Sequence, residues 1–405
     1  MKFIMEFFSI IFLLSNLLVS ARASSAVGTS RELYNPDPKA HIRGDTYEEI
    51  TRFNQVYFTQ EATFGSCNSK CEDYAEPRDN FKEDEAYKFP QRLCTGTIHS
   101  CKSEYSPEYH VRLPKSPTSD ARYYYFSKQI GFTGELYIYG NKKEPEYRFE
   151  IFKGWERVFV RCDICRCLCD EPEDKNSVRS FSLNTVTADK GEHKVVTGIQ
   201  IGMKDKIFFL KIQQSPLLPF GRINSAGSSW KADDPSSSGT KLFKLQYNKR
   251  GIHMGAAEAN VKLSEYVVTA VKFVEHKGNM ALGVELTQFD ISTGKLLENS
   301  KWTYNSFATN IIADGNSGHR PTAYSDHVPS EKTKLGLVQF SQSHMHDDVG
   351  QSTVPFIDLQ AITSTESALI GVGLLFRGRE FSGGFIAPSL ITHPIFSGET
   401  KGPRK

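Results

Sequence analysis

Val195-Val196-Thr197-Gly198-Ile199-Gln200-Ile201 recurs, 72 positions further on, as Val267-Val268-Thr269-Ala270-Val271-Lys272-Phe273. Each copy continues through turn chemistry into a second apolar run. Lys204-Asp205-Lys206 leads into Ile207-Phe208-Phe209-Leu210-Lys211-Ile212, and Lys277-Gly278-Asn279 leads into Met280-Ala281-Leu282-Gly283-Val284-Glu285-Leu286. β-Branched and aromatic runs on either side of such turns predict hairpins, and self-similarity at a fixed spacing predicts a duplicated unit. A weaker third copy is Leu369-Ile370-Gly371-Val372-Gly373-Leu374-Leu375-Phe376 followed by Gly383-Gly384-Phe385-Ile386. The stretch from Ser225 to Thr240, rich in Ser, Thr and Gly, reads as a loop between units.

Strand chemistry also dominates upstream, in Tyr123-Tyr124-Tyr125-Phe126, in Glu135 to Tyr139 and in Tyr147-Arg148-Phe149-Glu150-Ile151. One helix is expected after Asp45, which can cap it with Glu48 three residues on, because Tyr47, Ile50, Phe53 and Tyr57 recur at near-helical spacing. The fold class is therefore mainly β, with repeated β-hairpin units forming a β-prism-like or double β-sandwich architecture and a disulfide-rich N-terminal region. The expected boundaries are a signal peptide over 1–23, a flexible lead-in over 24–44, a Cys-rich β region with one short helix over 45–175, repeated β units over 176–395 and a basic tail over 396–405.

The leader reading rests on Lys2, the apolar run from Phe7 to Ser20 and the small-x-small site Ala21-Arg22-Ala23. A membrane anchor is the weaker reading, because Ile4 to Val19 falls short of the roughly 20 apolar residues a span requires and contains Glu6 and Asn16. The expected location is secreted and extracellular. All eight cysteines lie beyond the leader, Cys67, Cys71, Cys94 and Cys101 in one group and Cys162, Cys165, Cys167 and Cys169 in another. An even count in an exported chain reads as disulfides. Alternating cysteines on one strand face are poorly placed to bridge one another, so several are expected to cross to the first group; a thiolate metal cluster is the alternative. The 49 basic and 47 acidic residues give a formal net charge of +2, no general field for steering toward nucleic acid. No Asn-x-Ser/Thr acceptor occurs.

Catalytic signatures are missing from the sequence. It contains no Gly-x-Ser-x-Gly elbow, His-Glu-x-x-His helix or Walker loop, and Gly371-x-Gly373 sits inside a strand pattern, where it reads as close backbone packing. His344-x-His346-Asp347-Asp348 is the best metal candidate, because alternating His on an extended segment would project to one side with two carboxylates following; solvated surface polarity is the ordinary alternative. Ser325-Asp326-His327 has triad residue types, but chain neighbours seldom reach triad geometry. Arg43-Gly44-Asp45 spells an integrin-type tripeptide, with Asp45 equally explained as a helix cap. Trp155, Trp230 and Trp302 could stack on sugars or anchor a protein, core packing being the commoner role.

From about residue 60 to 390 the order of motifs resembles an uncharacterised family of secreted arthropod proteins, a domain of unknown function. The resemblance is carried by Cys162-x-x-Cys165-x-Cys167-x-Cys169-Asp170-Glu171, Val195-Val196-Thr197-Gly198-Ile199, Leu217-Leu218-Pro219-x-Gly221-Arg222-Ile223, Thr287-x-Phe289-Asp290 with Thr293-Gly294-Lys295-Leu296, Thr353-Val354-Pro355-Phe356-Ile357-Asp358 and Gly383-Gly384-Phe385-Ile386-Ala387-Pro388. It implies no reaction or ligand. The leading expectation is a secreted, non-enzymatic recognition factor binding a protein or glycan surface in an extracellular fluid or matrix, with no catalytic residues, no cofactor, no nucleic-acid partner and no membrane span. The alternatives are a salivary or venom effector acting on a host, and a hydrolase with dispersed catalytic residues.

Overall fold

In the computed structural model, the two matching stretches are the first strands of two hairpins. The structure describes residues 30–394 apart from 65–66, 68–70, 73–75, 78–87, 105–107, 131–134, 141–145, 158–159, 260–264, 306, 308, 315–317, 321–330, 334 and 379–382. In the first hairpin Lys194–Lys204 pairs antiparallel with Ile207–Pro216, and in the second Tyr266–His276 pairs with Asn279–Asp290. Both ladders slip at the same place, between Val196 and Gly198 and between Val268 and Ala270. Thr197 and Thr269 are therefore the extra residues of two β-bulges. Each turn holds two residues at positive φ, Asp205 with Lys206 and Lys277 with Gly278, the type I′ pattern whose twist matches that of the flanking strands. A third hairpin, Leu369–Gly378 with Phe385–Thr392, shifts register between Leu369 and Gly371, which puts Ile370 at the bulge.

Each hairpin takes a neighbouring strand from another unit. Ile362–Thr363, which precedes the third hairpin, pairs with the first at Gly198 and Ile199; Val186–Thr187, which precedes the first, pairs with the second at Ala270 and Val271. The Gly255 to Glu258 part of Gly251–Glu258, which precedes the second, pairs with the third. The exchanges form a closed cycle. In every case the bulge carbonyl accepts from the incoming strand: Ser364 N donates to Thr197 O (2.7 Å), Ala188 N to Thr269 O (2.8 Å) and Ala259 N to Ile370 O (2.8 Å). The opposite edges carry outer strands, Ser229–Ala232 on the first hairpin, Lys295–Tyr304 on the second and Glu32–Tyr34 on the third. The third set is thus completed by the N-terminal part of the chain. Tyr47–Glu48 adds to it by pairing with Phe356–Asp358, itself parallel to Phe385–Thr392.

In the first two units the bulge threonine starts a hydroxyl chain across three strands. Thr197 Oγ1 lies 2.9 Å from Ser215 Oγ, which lies 2.7 Å from Ser228 Oγ; Thr269 Oγ1 lies 2.6 Å from Thr287 Oγ1, which lies 2.8 Å from Ser300 Oγ. These counterparts keep the sequence offset of the opening repeat. A hydroxyl both donates and accepts, so such a chain satisfies oxygens that burial would otherwise strand. Beneath lies the main core, which includes Val196, Ile199, Ile212, Val268, Val271, Val284, Leu369, Val372 and Leu390.

The Cys-rich part centres on Ile164–Asp170, which runs between Gln55–Gln60 and Thr97–Glu104. Four disulfides converge on and beside it, Cys67–Cys162, Cys71–Cys165, Cys94–Cys169 and Cys101–Cys167. All of them cross between the two cysteine groups, which leaves no thiol for a metal cluster. Disulfides at this density are typical of extracellular proteins. A second sheet, ordered Glu135–Gly140, Tyr125–Ile130, Glu108–Pro114 and Tyr147–Lys153, packs on an aromatic core of Phe58, Tyr109, Tyr123, Phe126 and Phe152.

Three local expectations are overturned. No helix follows Asp45: Tyr47–Glu48 and Gln55–Gln60 are strands, and the residues at helical spacing go to different clusters, Tyr47 to one near Phe356, Ile50 and Phe53 to the main core and Tyr57 to the cystine cluster. An extended chain crossing three cores imitates a helix in spacing alone. Glu32–Tyr34, within the expected flexible lead-in, is a strand because it covers the open edge of the third hairpin. Ser229–Ala232, within the expected loop, is also a strand; its exposed side chains give no burial pattern, and backbone pairing to Ile207–Pro216 holds it together with a Lys231–Asp189 ion pair. The expected signal peptide and basic tail lie outside the described residues.

Non-reducing peptide mapping should recover the four pairs named above. Any pair confined to one cysteine group would contradict this arrangement. Substituting Asp for Val196 or Val268, both fully buried, should each lower unfolding free energy by about 3 kcal/mol or more, because a carboxylate would enter a core without a partner. Chemical denaturation reads this directly, and an unchanged midpoint for either variant would refute the shared core role.

Candidate functional site

A concavity lies where the repeats meet the Cys-rich part. It is a cleft of about 310 Å³ lined by Arg43, Glu49, Asp120, Arg320, Asp347 and Gln351 among others. Four segments contribute, two from each side of the sequence. Arg43 Nε donates to Glu48 Oε1 (2.6 Å) and Arg320 Nη2 to Glu49 Oε1 (3.0 Å). Burial raises the Glu49 carboxyl above its ordinary range, opposed by Arg320 and Arg43. The walls are charged and paired, a lining suited to a polar ligand.

At the rim a single helical turn, Met345–Asp348, is capped by His344, whose side chain accepts from His346 N. This helical geometry corrects the extended reading of His344 and His346. Positions three apart share a helix face, so His344 and Asp347 come together, and His319 joins them from a separate segment. His319 Nδ1 lies 2.7 Å from Asp347 Oδ1, and the His319 and His344 ring centroids are 4.3 Å apart. One ligand atom from each of the three falls within 4.8 Å of the others. Burial, with His319 and His346 nearby, lowers the His344 pKa. His346 stacks on His344, ring centroids 5.1 Å apart, but its Nδ1 is directed elsewhere, 2.9 Å from Ile138 O, and its ring also packs on Tyr139. Asp348 is occupied in the backbone, accepting from Gln351 N (3.2 Å), Ser352 N (2.9 Å) and Ser343 Oγ. Of the four sequence candidates the structure thus groups two. His319 was missed, since its own neighbourhood in the sequence, Ser317-Gly318-His319-Arg320, carries no ligand spacing.

The other candidates separate. Ser325-Asp326-His327 lies outside the described residues. Arg43 of the Arg43-Gly44-Asp45 tripeptide is spent on Glu48, with Glu49 and Asp120 within 4.0 Å. Gly373 supports the backbone-packing reading, since a Cβ there would stand 2.8 Å from Ser389 Oγ and 3.0 Å from Gly255 O. Trp230 is 44% exposed, and Trp155 and Trp302 are half-buried. Trp230 and Trp302 occupy corresponding registers, opposite Gln213 and Glu285, on the solvent side of their outer strands. Lys272 Nζ sits 3.9 Å from the Trp302 ring centroid.

Two buried, paired carboxylates lie outside the cleft, at the end of the disulfide strand. Glu171 accepts from Arg122 Nη2 (2.5 Å), Arg92 Nη1 (2.7 Å) and Thr95 N (3.0 Å); despite burial these partners pull its pKa down to about 2. Asp170 is paired with Arg179 and accepts from Tyr247 N (2.9 Å), yet burial dominates and raises its pKa. Every one of these contacts joins segments of the fold, and the pair has a structural role. Cys94, Cys169 and Glu171 also cluster, but both sulfurs belong to one disulfide.

A family model described as a domain of unknown function (DUF4803) matches residues 19–212. The match takes in the disulfide region and most of the first hairpin, ending within Ile207–Pro216. No curated protein matches the sequence. Among the described residues no helix is long and apolar enough to cross a membrane.

A depressed folded-state pKa contributes stability that is complete above the ordinary glutamate value and disappears as pH falls toward the folded value. Glu171→Gln should therefore be less stable than the parent at neutral pH, by roughly 3 kcal/mol from the shift. The gap should close between about pH 4.5 and 2, the interval bounded by the two values. Urea midpoints measured across that interval test the point, and a gap independent of pH would rule it out.

Proposed function

We propose that the protein is a secreted, non-enzymatic recognition factor that binds a protein or glycan surface in an extracellular fluid or matrix, and that its repeated units close as a three-sided β-prism. The cyclic exchange of strands supports the prism reading, because each hairpin pairs with a strand from another unit. The disulfides support the extracellular reading.

The observation that carries the binding reading is the pair of tryptophans on the outer strands. Trp230 and Trp302 hold the same register in two units and both face solvent-side neighbours, Gln213 and Glu285, not the core. An indole on a rigid sheet offers a broad apolar face with an N–H donor, which suits a pyranose face or a protein side chain. Such binding requires shape and a few anchors, with no activated nucleophile.

Screening the purified protein against glycan arrays and extracellular extracts should identify a ligand that saturates stoichiometrically. Trp230→Ala and Trp302→Ala should then each weaken it at least tenfold, about 1.4 kcal/mol, with melting temperature preserved. Undiminished affinity in both variants, or turnover of excess ligand by catalytic amounts of protein, would overturn the proposal.

A further inference from the structure

We propose that His319, His344 and Asp347 form a binding site for a divalent transition-metal ion of the zinc class, independent of the tryptophan face. Three separate features converge here. The donor set is two imidazoles and a carboxylate, the composition that suits zinc or copper(II) and that the all-oxygen preference of calcium or magnesium disfavours. The donor atoms already lie within 4.8 Å of one another, so closure around an ion calls for side-chain adjustment only. Two of the ligands are also held from outside the set: Asp347 Oδ2 accepts from Arg320 N (2.6 Å), and His344 is anchored as the helix cap through Nδ1, which accepts from His346 N and leaves Nε2 for an ion. Outer contacts of this kind orient ligands and raise affinity.

The same geometry says which neighbours do not take part. His346 is directed to Ile138 O, and Asp348 is engaged by Ser343, Gln351 and Ser352. Three protein ligands leave one position of a tetrahedral ion for water or for a donor on a bound partner. The site stands at the rim of the cleft, since Asp347 lines it while His344 lines a smaller concavity on the other side with Tyr139 and Arg166.

The test is titration of the disulfide-intact chain with zinc chloride in a phosphate-free buffer near neutral pH, followed by calorimetry. One ion per chain is expected. His344→Ala and Asp347→Asn should each weaken binding at least tenfold, while His346→Ala should stay within twofold. Because a variant could fail to fold, the unmodified chain supplies a second measurement: zinc should protect His319 and His344 from diethyl pyrocarbonate, read by peptide mass spectrometry, and leave His346 reactive. Absence of stoichiometric binding, equal loss on replacing His346, or unchanged modification of both His319 and His344 would each overturn the assignment.

Discussion

Two adjacent carboxylates, Asp170 and Glu171, are each 1% exposed; Asp170 ties the cross-linked sheet to the repeats, and Glu171 holds the Cys-rich part together. Asp170 faces Arg179, which also donates to Leu245 O and to backbone carbonyls of the Thr51-Arg52 segment, while Glu171 faces Arg92 and Arg122. Removing one member of a buried pair leaves an unpaired charge in low dielectric and costs several kcal/mol, roughly 3–5. Replacing a whole pair with apolar groups can be neutral. The Asp170–Arg179 pair, with Tyr247 N donating to the same carboxylate, fixes one place where the Cys-rich part meets the repeats. Cys169, immediately before the pair, is bridged to Cys94, so the covalent and the electrostatic constraints act on consecutive residues.

The repeats solve a different problem, that of sheet edges. A strand edge presents unpaired N–H and C=O groups, and here each hairpin is covered on one side by a strand from another unit and on the other by an outer strand. The bulges belong to this solution. Inserting Thr197, Thr269 or Ile370 bends the strand and turns a carbonyl toward the incoming segment, and the threonine hydroxyls bond to hydroxyls on the neighbouring strand, Ser215 and Thr287. At Gly198 the approach is close enough that a Cβ would lie 2.7 Å from Thr363 Cγ2. The second unit has Ala270 at that position and receives Val186–Thr187 instead, so the units differ where their incoming strands differ.

At the candidate site, legibility followed distance along the chain. His344 and Asp347 are three apart and were visible as ligand types, but the choice between them and their neighbours His346 and Asp348 depended on whether the segment is helical or extended, which four residues do not reveal. His319 entered from a segment with no pattern of its own. The tryptophans show the converse: their identity was plain and their exposure was not, since an edge strand such as Ser229–Ala232 has no alternation to disclose its face.

By itself the sequence determined the β class, the disulfide-linked character of the eight cysteines and the match between the two hairpin stretches. These are local records: side-chain alternation at period two, cysteine number, turn residues at a fixed spacing. Tertiary structure alone decided which strand each hairpin borrows, why Tyr47, Ile50, Phe53 and Tyr57 are not a helix, and how Glu32–Tyr34 completes the third set. Those outcomes rest on backbone hydrogen bonds between segments up to several hundred residues apart, and backbone groups are the same in every residue but proline. Pairing between distant strands leaves little mark on side-chain identity, so it became readable only once the chain had folded.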